Sequence, residues 1–270
     1  MRPVRRLGQH FLTDPGILQR IVAALDPAPN DLVLEIGAGK GSLTAQLLAA
    51  GLRVIAIEKD RRLAHECGVR NAECGVDRLT IVQGDALRVD WHALGTSHSA
   101  RHTPQFKVVG NIPYAITSPL IDKALTPPLP ERIVFLVQAE VADRVAASPG
   151  SKTYGALSVG VQAVCRVERL FTVRAGAFRP PPRVTSALVR FTPRREPVVA
   201  PDELAAFRAF VTACFTRRRK QLRNALMAAT GRSAETVLTG LATLGFDRAA
   251  RPESLTPGDF ARLLRWSVRL

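Results

Sequence analysis

Short apolar segments alternate with helical segments through the first half of this 270-residue chain, and this alternation constrains the fold more than any other feature. Each apolar segment has the length of a strand and carries few polar residues, which is typical of strands buried on both faces of a parallel sheet. Between these segments lie stretches in which leucines, such as Leu43, Leu47 and Leu48, recur at helical spacing. The five segments are residues 32–36, 54–57, 79–82, 106–109 and 133–137. This order predicts a doubly wound α/β fold, which is a Rossmann-like architecture.

The second half of the chain has a different pattern. Residues 164–173 and 184–191 have the composition of two further strands, which we expect to pair antiparallel at the edge of the sheet. Residues 192–201 contain three prolines and two arginines, as expected for a linker, and the residues after them have helical periodicity. We therefore predict an α/β domain over residues 1–192 and a small all-helical domain over residues 202–270.

A glycine-rich turn follows the first predicted strand, where Glu35 and Ile36 precede Gly37, Gly39 and Gly41. Glycines at a strand-to-helix junction are compatible with three interpretations: a turn that binds no ligand, a dinucleotide site or a nucleoside site. The third glycine comes one position too early for the dinucleotide motif G-x-G-x-x-G.

Two carboxylates follow the next predicted strands and favour the nucleoside. Glu58 ends the second strand, 21 residues after Gly37, where a carboxylate can accept hydrogen bonds from both ribose hydroxyls. Asp85 ends the third strand and could face the exocyclic amine of an adenine ring. S-adenosylmethionine is a nucleoside ligand without a pyrophosphate, and we expect it as the cofactor, with Glu35, Gly37, Gly39, Glu58 and Asp85 in its site.

The tetrapeptide Asn111-Ile112-Pro113-Tyr114 ends the fourth predicted strand and points to a reaction. The amine of an aromatic base is a poor nucleophile, and a catalyst can help by accepting hydrogen bonds from its two N–H groups. The side-chain carbonyl of Asn111 and the backbone carbonyl of Ile112 would accept them, and Pro113 would stiffen the turn. Tyr114 offers a flat face for the base, which must leave its stack. Phe178 is either a second stacking face or a core aromatic.

The charge balance favours a polyanionic partner, because 38 basic residues exceed 23 acidic ones by 15. A dense basic cluster in the helical region is either a solvated face or a contact with RNA phosphates, and the net charge favours RNA. We find no apolar segment long enough to span a membrane and no signal peptide. The candidate RNA-binding residues are Arg5, Arg6, Arg183, Arg217, Arg218, Arg219, Lys220 and Arg223.

Together these motifs resemble the ribosomal RNA small-subunit adenine N6-dimethyltransferase family over nearly the whole chain. The resemblance includes residues 8–12, the motifs described above, and residues 137–144, 154–158, 178–184 and 218–226. It implies cofactor contacts at His10, Leu12, Gly37, Glu58, Asp85 and Asn111. It also implies transfer of two methyl groups to each of two adjacent adenines in a hairpin near the 3′ end of small-subunit RNA.

Two departures from the family pattern leave this chemistry intact. His10 replaces an asparagine that many members carry, and Ile112 replaces a leucine.

Three other functions compete with this one. The alternatives are a large-subunit adenine methyltransferase that confers macrolide resistance, an inactive RNA-binding assembly or transcription factor, and a nicotinamide dehydrogenase. We expect a cytoplasmic monomer without a metal, whose four cysteines are free thiols and whose partner is the RNA of an assembling small subunit.

Overall fold

The computed structural model describes residues 10–75, 77–97, 106–216 and 220–268. The strands are β1 Phe11–Leu12, β2 Leu32–Ile36, β3 Arg53–Glu58, β4 Leu79–Gln83, β5 Lys107–Asn111, β6 Arg132–Gln138, β7 Cys165–Val173, β8 Phe178–Arg179 and β9 Ser186–Pro193. The helices are α1 Pro15–Ala24, α2 Ser42–Ala49, α3 Arg61–Gly75, α4 Trp91–Ser97, α5 Thr117–Ala124, α6 Ala139–Val145, α7 Ala156–Gln162, α8 Leu204–Phe215, α9 Leu222–Thr230, α10 Ala234–Thr243 and α11 Pro257–Val268.

In the described part of the chain, seven strands form one sheet in the order β4-β3-β2-β5-β6-β9-β7. The first five strands in this order are parallel, and β9 pairs antiparallel with β6. The central strands β2 and β3 are buried along most of their length, as their apolar composition requires. The α/β fold class and the helical C-terminal region predicted from the sequence are confirmed.

The strand order reverses between β2 and β5, and this switch point locates the site. Ile36 pairs with Gly110, so the glycine turn after β2 and the tetrapeptide after β5 begin side by side. In open α/β sheets, ligands bind outside the carboxyl ends of strands at such a point. The two motifs predicted from sequence therefore flank one crevice.

The chain divides into two compact units. The first extends to Ala142 and includes Glu168–Pro193, and the second comprises Asp143–Val167 and Arg194–Leu270. The sequence analysis placed residues 143–167 in the first domain. Their long-range hydrogen bonds explain the difference, because the Tyr154 hydroxyl donates to the Leu255 carbonyl oxygen (2.8 Å) and the Gly150 amide donates to that of Glu253 (2.7 Å).

None of the helices in the described part of the chain combines the length and the apolar character needed to cross a lipid bilayer.

Candidate active site

The glycine turn after β2 is held by Glu58, the last residue of β3. Gly37, Gly39 and Gly41 have φ values of +72°, +56° and +77°, a region that favours glycine. The Gly39 amide donates to Glu58 Oε2 (2.9 Å), and the Asp60 amide donates to Glu58 Oε1 (2.9 Å). Glu58 is 5% exposed. Each carboxylate oxygen has a second lone pair, so the predicted contact with ribose hydroxyls is compatible with these bonds.

Glu35 lies in β2, next to the same turn, and is 1% exposed. The Thr44 hydroxyl at the start of α2 donates to Glu35 Oε2 (2.6 Å). Burial raises the pKa of Glu35 to about 8, the Thr44 hydrogen bond opposes the rise, and the charge of Glu58 adds to it. Glu35, which lines the site, therefore holds its proton to a higher pH than an ordinary glutamate does.

One cavity brings together five of the predicted site residues: Leu12, Glu35, Gly37, Gly39 and Asn111. Its other lining residues are Phe11, Leu18, Ala38, Lys40, Ser42 and Leu43. Among these described lining residues Lys40 is the single basic side chain. Glu35 is the acidic residue of this lining, and Glu58 holds the turn at Gly39 without lining the cavity. Asp85 and His10 are also not among the lining residues. In the described residues, no group of three or more His, Cys, Asp or Glu side chains could hold a metal ion.

Asp85 follows β4 and lies near Glu58, whose carbonyl oxygen accepts a hydrogen bond from the Gly84 amide (2.9 Å). Lys59 Nζ lies 2.8 Å from Asp85 Oδ2, and the Leu87 amide donates to Oδ1 (3.0 Å). The Lys59 hydrogen bond is the main reason why the pKa of Asp85 is lowered. The sequence analysis assigned no role to Lys59, although its position directly after Glu58 places it at the same strand end.

Asn111 is oriented by the N-terminal segment of the chain. Its Nδ2 atom donates to the His10 carbonyl oxygen (2.8 Å), and this bond fixes the direction of the amide oxygen Oδ1. The Ile112 amide donates to the Leu136 carbonyl oxygen (3.0 Å), which continues the pairing of β5 with β6 beyond Asn111. Ile112 is buried and Pro113 is exposed. The tetrapeptide therefore begins in the sheet and ends at the surface.

Tyr114 is half-buried and held at two places. Its hydroxyl shares a hydrogen bond with Ser186 Oγ (2.9 Å), and its ring lies 6.1 Å from the His10 ring at an angle of 30°. His10 Nδ1 donates to the Pro180 carbonyl oxygen (2.8 Å). These contacts accompany the antiparallel pairing of β1 with β8, in which Leu12 faces Phe178. Residues 10–12 thus join the tetrapeptide to residues 178–180.

Phe178 does not present its ring as a stacking face in this structure. It is 1% exposed and packs in the hydrophobic core with Leu12, Leu18 and Val173. The core alternative from the sequence analysis describes its position, so the stacking role given to Phe178 is corrected. The physical reason is that β8 pairs with β1, which covers this strand.

The predicted RNA-binding residues fall into two groups. Arg183 and Lys220 are exposed, and Arg223, in the first turn of α9, is half-buried. Arg5, Arg6, Arg217, Arg218 and Arg219 lie outside the described residues.

Comparison with known proteins gives a family for this chain. The model of the family described as "Ribosomal RNA adenine dimethylase" matches residues 3–266. The chain belongs to the ribosomal RNA adenine dimethylase family. It is similar to the ribosomal RNA small subunit methyltransferase A of Nitrosococcus oceani, with 43% identity over 99% of this chain and 97% of that protein. The family recognised from the sequence motifs is thereby confirmed.

Two solved structures are similar to this member of the ribosomal RNA adenine dimethylase family. A dimethyladenosine transferase from Plasmodium falciparum matches with a TM-score of 0.79 and 30% identity, over 94% of this chain and 96% of that chain. The 23S rRNA methyltransferase ErmE matches with a TM-score of 0.72 and 27% identity, over 95% of this chain and 98% of that chain.

Proposed function

We propose that this protein transfers methyl groups from S-adenosylmethionine to the N6 amines of two adjacent adenines in a hairpin near the 3′ end of small-subunit ribosomal RNA. Membership of the ribosomal RNA adenine dimethylase family supports the reaction. The 43% identity to a small subunit methyltransferase over nearly the full chain supports the choice of RNA. The observation that carries the proposal is that Asn111 lines the same cavity as the glycine turn.

The cofactor would be held by the residues around this cavity and would supply an activated methyl group. Glu58 and Asp85 would accept hydrogen bonds from its nucleoside, and the turn at Gly37 and Gly39 would lie along its amino-acid end. His10 and Leu12 would close the site from the N-terminal side. Acidic groups and backbone donors of this kind fit a nucleoside that carries an ammonium group and no phosphate.

The chain's own contribution to transfer is positioning. Asn111 Oδ1 and the Ile112 carbonyl would accept the two hydrogens of the adenine amine, so that its lone pair faces the methyl group. The Asn111 amide is already oriented by the His10 carbonyl, which lowers the cost of reaching this arrangement. The exposed position of Pro113 and the half-buried ring of Tyr114 leave the base a route from solution.

We further propose that the protein acts as a cytoplasmic monomer on an assembling small subunit, with RNA phosphates contacting its basic residues. Arg183, Lys220 and Arg223 are the described candidates, and the net charge of +15 supports a polyanionic partner. Such contacts would position the RNA without reading its sequence.

The test is to incubate the protein with small subunits that lack the modification and to map methylated adenines by mass spectrometry. We expect two neighbouring dimethylated adenines near the 3′ end of the RNA. Label in large-subunit RNA would favour the macrolide-resistance alternative, and absence of label with both subunits would favour an inactive RNA-binding factor. Either result would overturn the proposal.

Asn111→Ala tests the role of the tetrapeptide in the same assay. The variant loses an acceptor made for the reacting amine, so we expect transfer to fall about 100-fold or more, the size of effect seen when one such active-site group is removed. Calorimetric affinity for the cofactor should change little. Near-normal turnover would contradict the role given to Asn111.

A further inference from the structure

The segment between β4 and α4, residues 84–90, carries Asp85 and is called here the Asp85 loop. It turns tightly, because the Arg88 and Val89 amides both donate to the Asp85 carbonyl oxygen (2.8 and 3.0 Å). The Leu87 amide donates to Asp85 Oδ1 (3.0 Å). The direction of the Asp85 carboxylate therefore depends on the loop conformation as well as on Lys59, whose Nζ atom lies 2.8 Å from Oδ2.

Two side chains hold this loop through its carbonyl groups. Lys123 Nζ donates to the carbonyl oxygens of Leu87 (3.0 Å) and Val89 (2.7 Å). Trp91 Nε1 donates to that of Ala86 (2.9 Å). Lys123 Nζ also lies 5.4 Å from the centre of the Trp91 ring. Three loop carbonyls thus accept hydrogen bonds from outside the loop, and one lysine supplies two of them.

Lys123 is half-buried, and its charge is partly removed from water. Burial lowers the pKa of Lys123, while the charges of Asp90 and Asp85 oppose this change. A charged donor makes stronger hydrogen bonds than a neutral one, and partial burial strengthens them further. These contacts therefore stabilise the loop conformation that the structure shows.

The helix that carries Lys123 begins at the tetrapeptide. The Pro113 carbonyl oxygen accepts hydrogen bonds from the Ile116 amide (3.1 Å) and from the Thr117 hydroxyl (3.3 Å), and Thr117 starts α5. Lys123 lies in the last turn of the same helix. α5 therefore connects the residues proposed to hold the adenine base with the loop proposed to hold the cofactor nucleoside.

We propose that Lys123 is a positioning residue that fixes the Asp85 loop and thereby sets the affinity for the cofactor nucleoside. This inference rests on the proposed function, because it assigns Asp85 to the cofactor site. Lys123 touches neither reacting group, so its removal affects cofactor binding before it affects the transfer step.

The test compares Lys123→Met with the wild-type full chain. Methionine keeps an apolar stem of similar length against Trp91 but has no donor for the Leu87 and Val89 carbonyls. We expect the calorimetric Kd for S-adenosylhomocysteine and the KM for S-adenosylmethionine to rise about tenfold, since lost hydrogen bonds from a charged group have effects of this order. The kcat at saturating cofactor should change less than about twofold, since the tetrapeptide keeps its own contacts.

Three further measurements separate positioning from general stability. Amide hydrogen exchange should accelerate in the Asp85 loop and stay unchanged in β2. Lys123→Arg, which restores a charged donor, should recover most of the affinity. Lys152→Met makes the same substitution at an exposed lysine of the other unit and should leave the Kd unchanged.

An unchanged Kd in Lys123→Met overturns the inference while the proposed function stands. A fall in kcat that matches the rise in KM, with faster exchange throughout the sheet, also overturns it, because a general loss of stability would be the cause. A wild-type chain that binds no S-adenosylhomocysteine overturns the proposed function and this inference together.

Discussion

Gly41→Ala tests whether the glycine turn is fixed by the packing of α3 beneath it. Gly41 precedes α2 with φ at +77°, and a Cβ atom there would collide with Asn71 Nδ2 and lie 3.0 Å from Cys67 Sγ. Both neighbours lie in α3 and are buried, and Asn71 Nδ2 donates to the Cys67 carbonyl oxygen (2.8 Å). The alanine therefore meets side chains that have little room to move.

The magnitude follows from two separate effects. A left-handed backbone costs about 1–2 kcal/mol for a residue with a Cβ atom. Overpacking of a buried site costs about 1–3 kcal/mol more. We therefore expect Gly41→Ala to lower the free energy of unfolding by about 2–5 kcal/mol.

Gly51 provides a matched control, because its φ is +79° and, apart from its two chain neighbours, none of the described residues has an atom within 4 Å of the position that a Cβ atom would occupy there. Gly51→Ala should show the backbone effect alone, about 1–2 kcal/mol. Urea unfolding of both variants measures the difference, and the double variant Gly41→Ala/Asn71→Ala should be less destabilised than the sum of its single changes. If Gly41→Ala destabilises the protein no more than Gly51→Ala does, α3 does not fix the turn.

Three other predictions concern the same molecule. The pKa of Glu35 is raised from 4.5 to about 8, so between these pH values the folded chain keeps a proton that the unfolded chain releases. The free energy of unfolding of the wild-type protein should therefore fall between pH 4.5 and 8, by at most about 1.4 kcal/mol per pH unit. Glu35→Gln should flatten this slope in urea unfolding, and an equally steep slope would show that another group causes it. Tyr114→Phe keeps the ring and loses only the hydrogen bond to Ser186, so transfer should fall less than about tenfold, whereas Tyr114→Ala should lose far more. Replacing Arg217, Arg218 and Arg219 with alanine should weaken RNA binding and reduce the slope of affinity against salt concentration, and an unchanged slope would indicate a solvated face.

Local sequence patterns were sufficient for the main elements of the sheet. Buried parallel strands need continuous apolar runs, so residues 32–36 and 133–137 indicated their strands directly. The glycine turn and Asn111 were found for a related reason, since ligand sites of such sheets follow the carboxyl ends of strands. The order of strands and helices is therefore enough to predict which side chains lie at those strand ends.

Contacts between distant residues could not be predicted in this way. An aromatic such as Phe178 suits a core or a stacking face equally well, and only its strand pairing with Leu12 decides between them. Periodicity does not show that residues 143–167 belong to the helical unit, because Tyr154 is 101 positions from its partner Leu255. Lys123 lacked a signal, since a basic side chain carries no information about which acceptor it will meet. The position of Lys59 directly after Glu58 placed it at the strand end, but its contact with Asp85 could not be predicted.

The pairing of β1 with β8 joins a segment that is synthesised early to one that is synthesised much later. The residues that orient Asn111 and line the cavity leave the ribosome first, but the two-residue strand that holds them is made about 170 positions later. A pair of strands this short has little stability of its own. A growing chain that ends before Phe178 therefore has its glycine turn and tetrapeptide but still lacks the strand that pairs with Phe11 and Leu12.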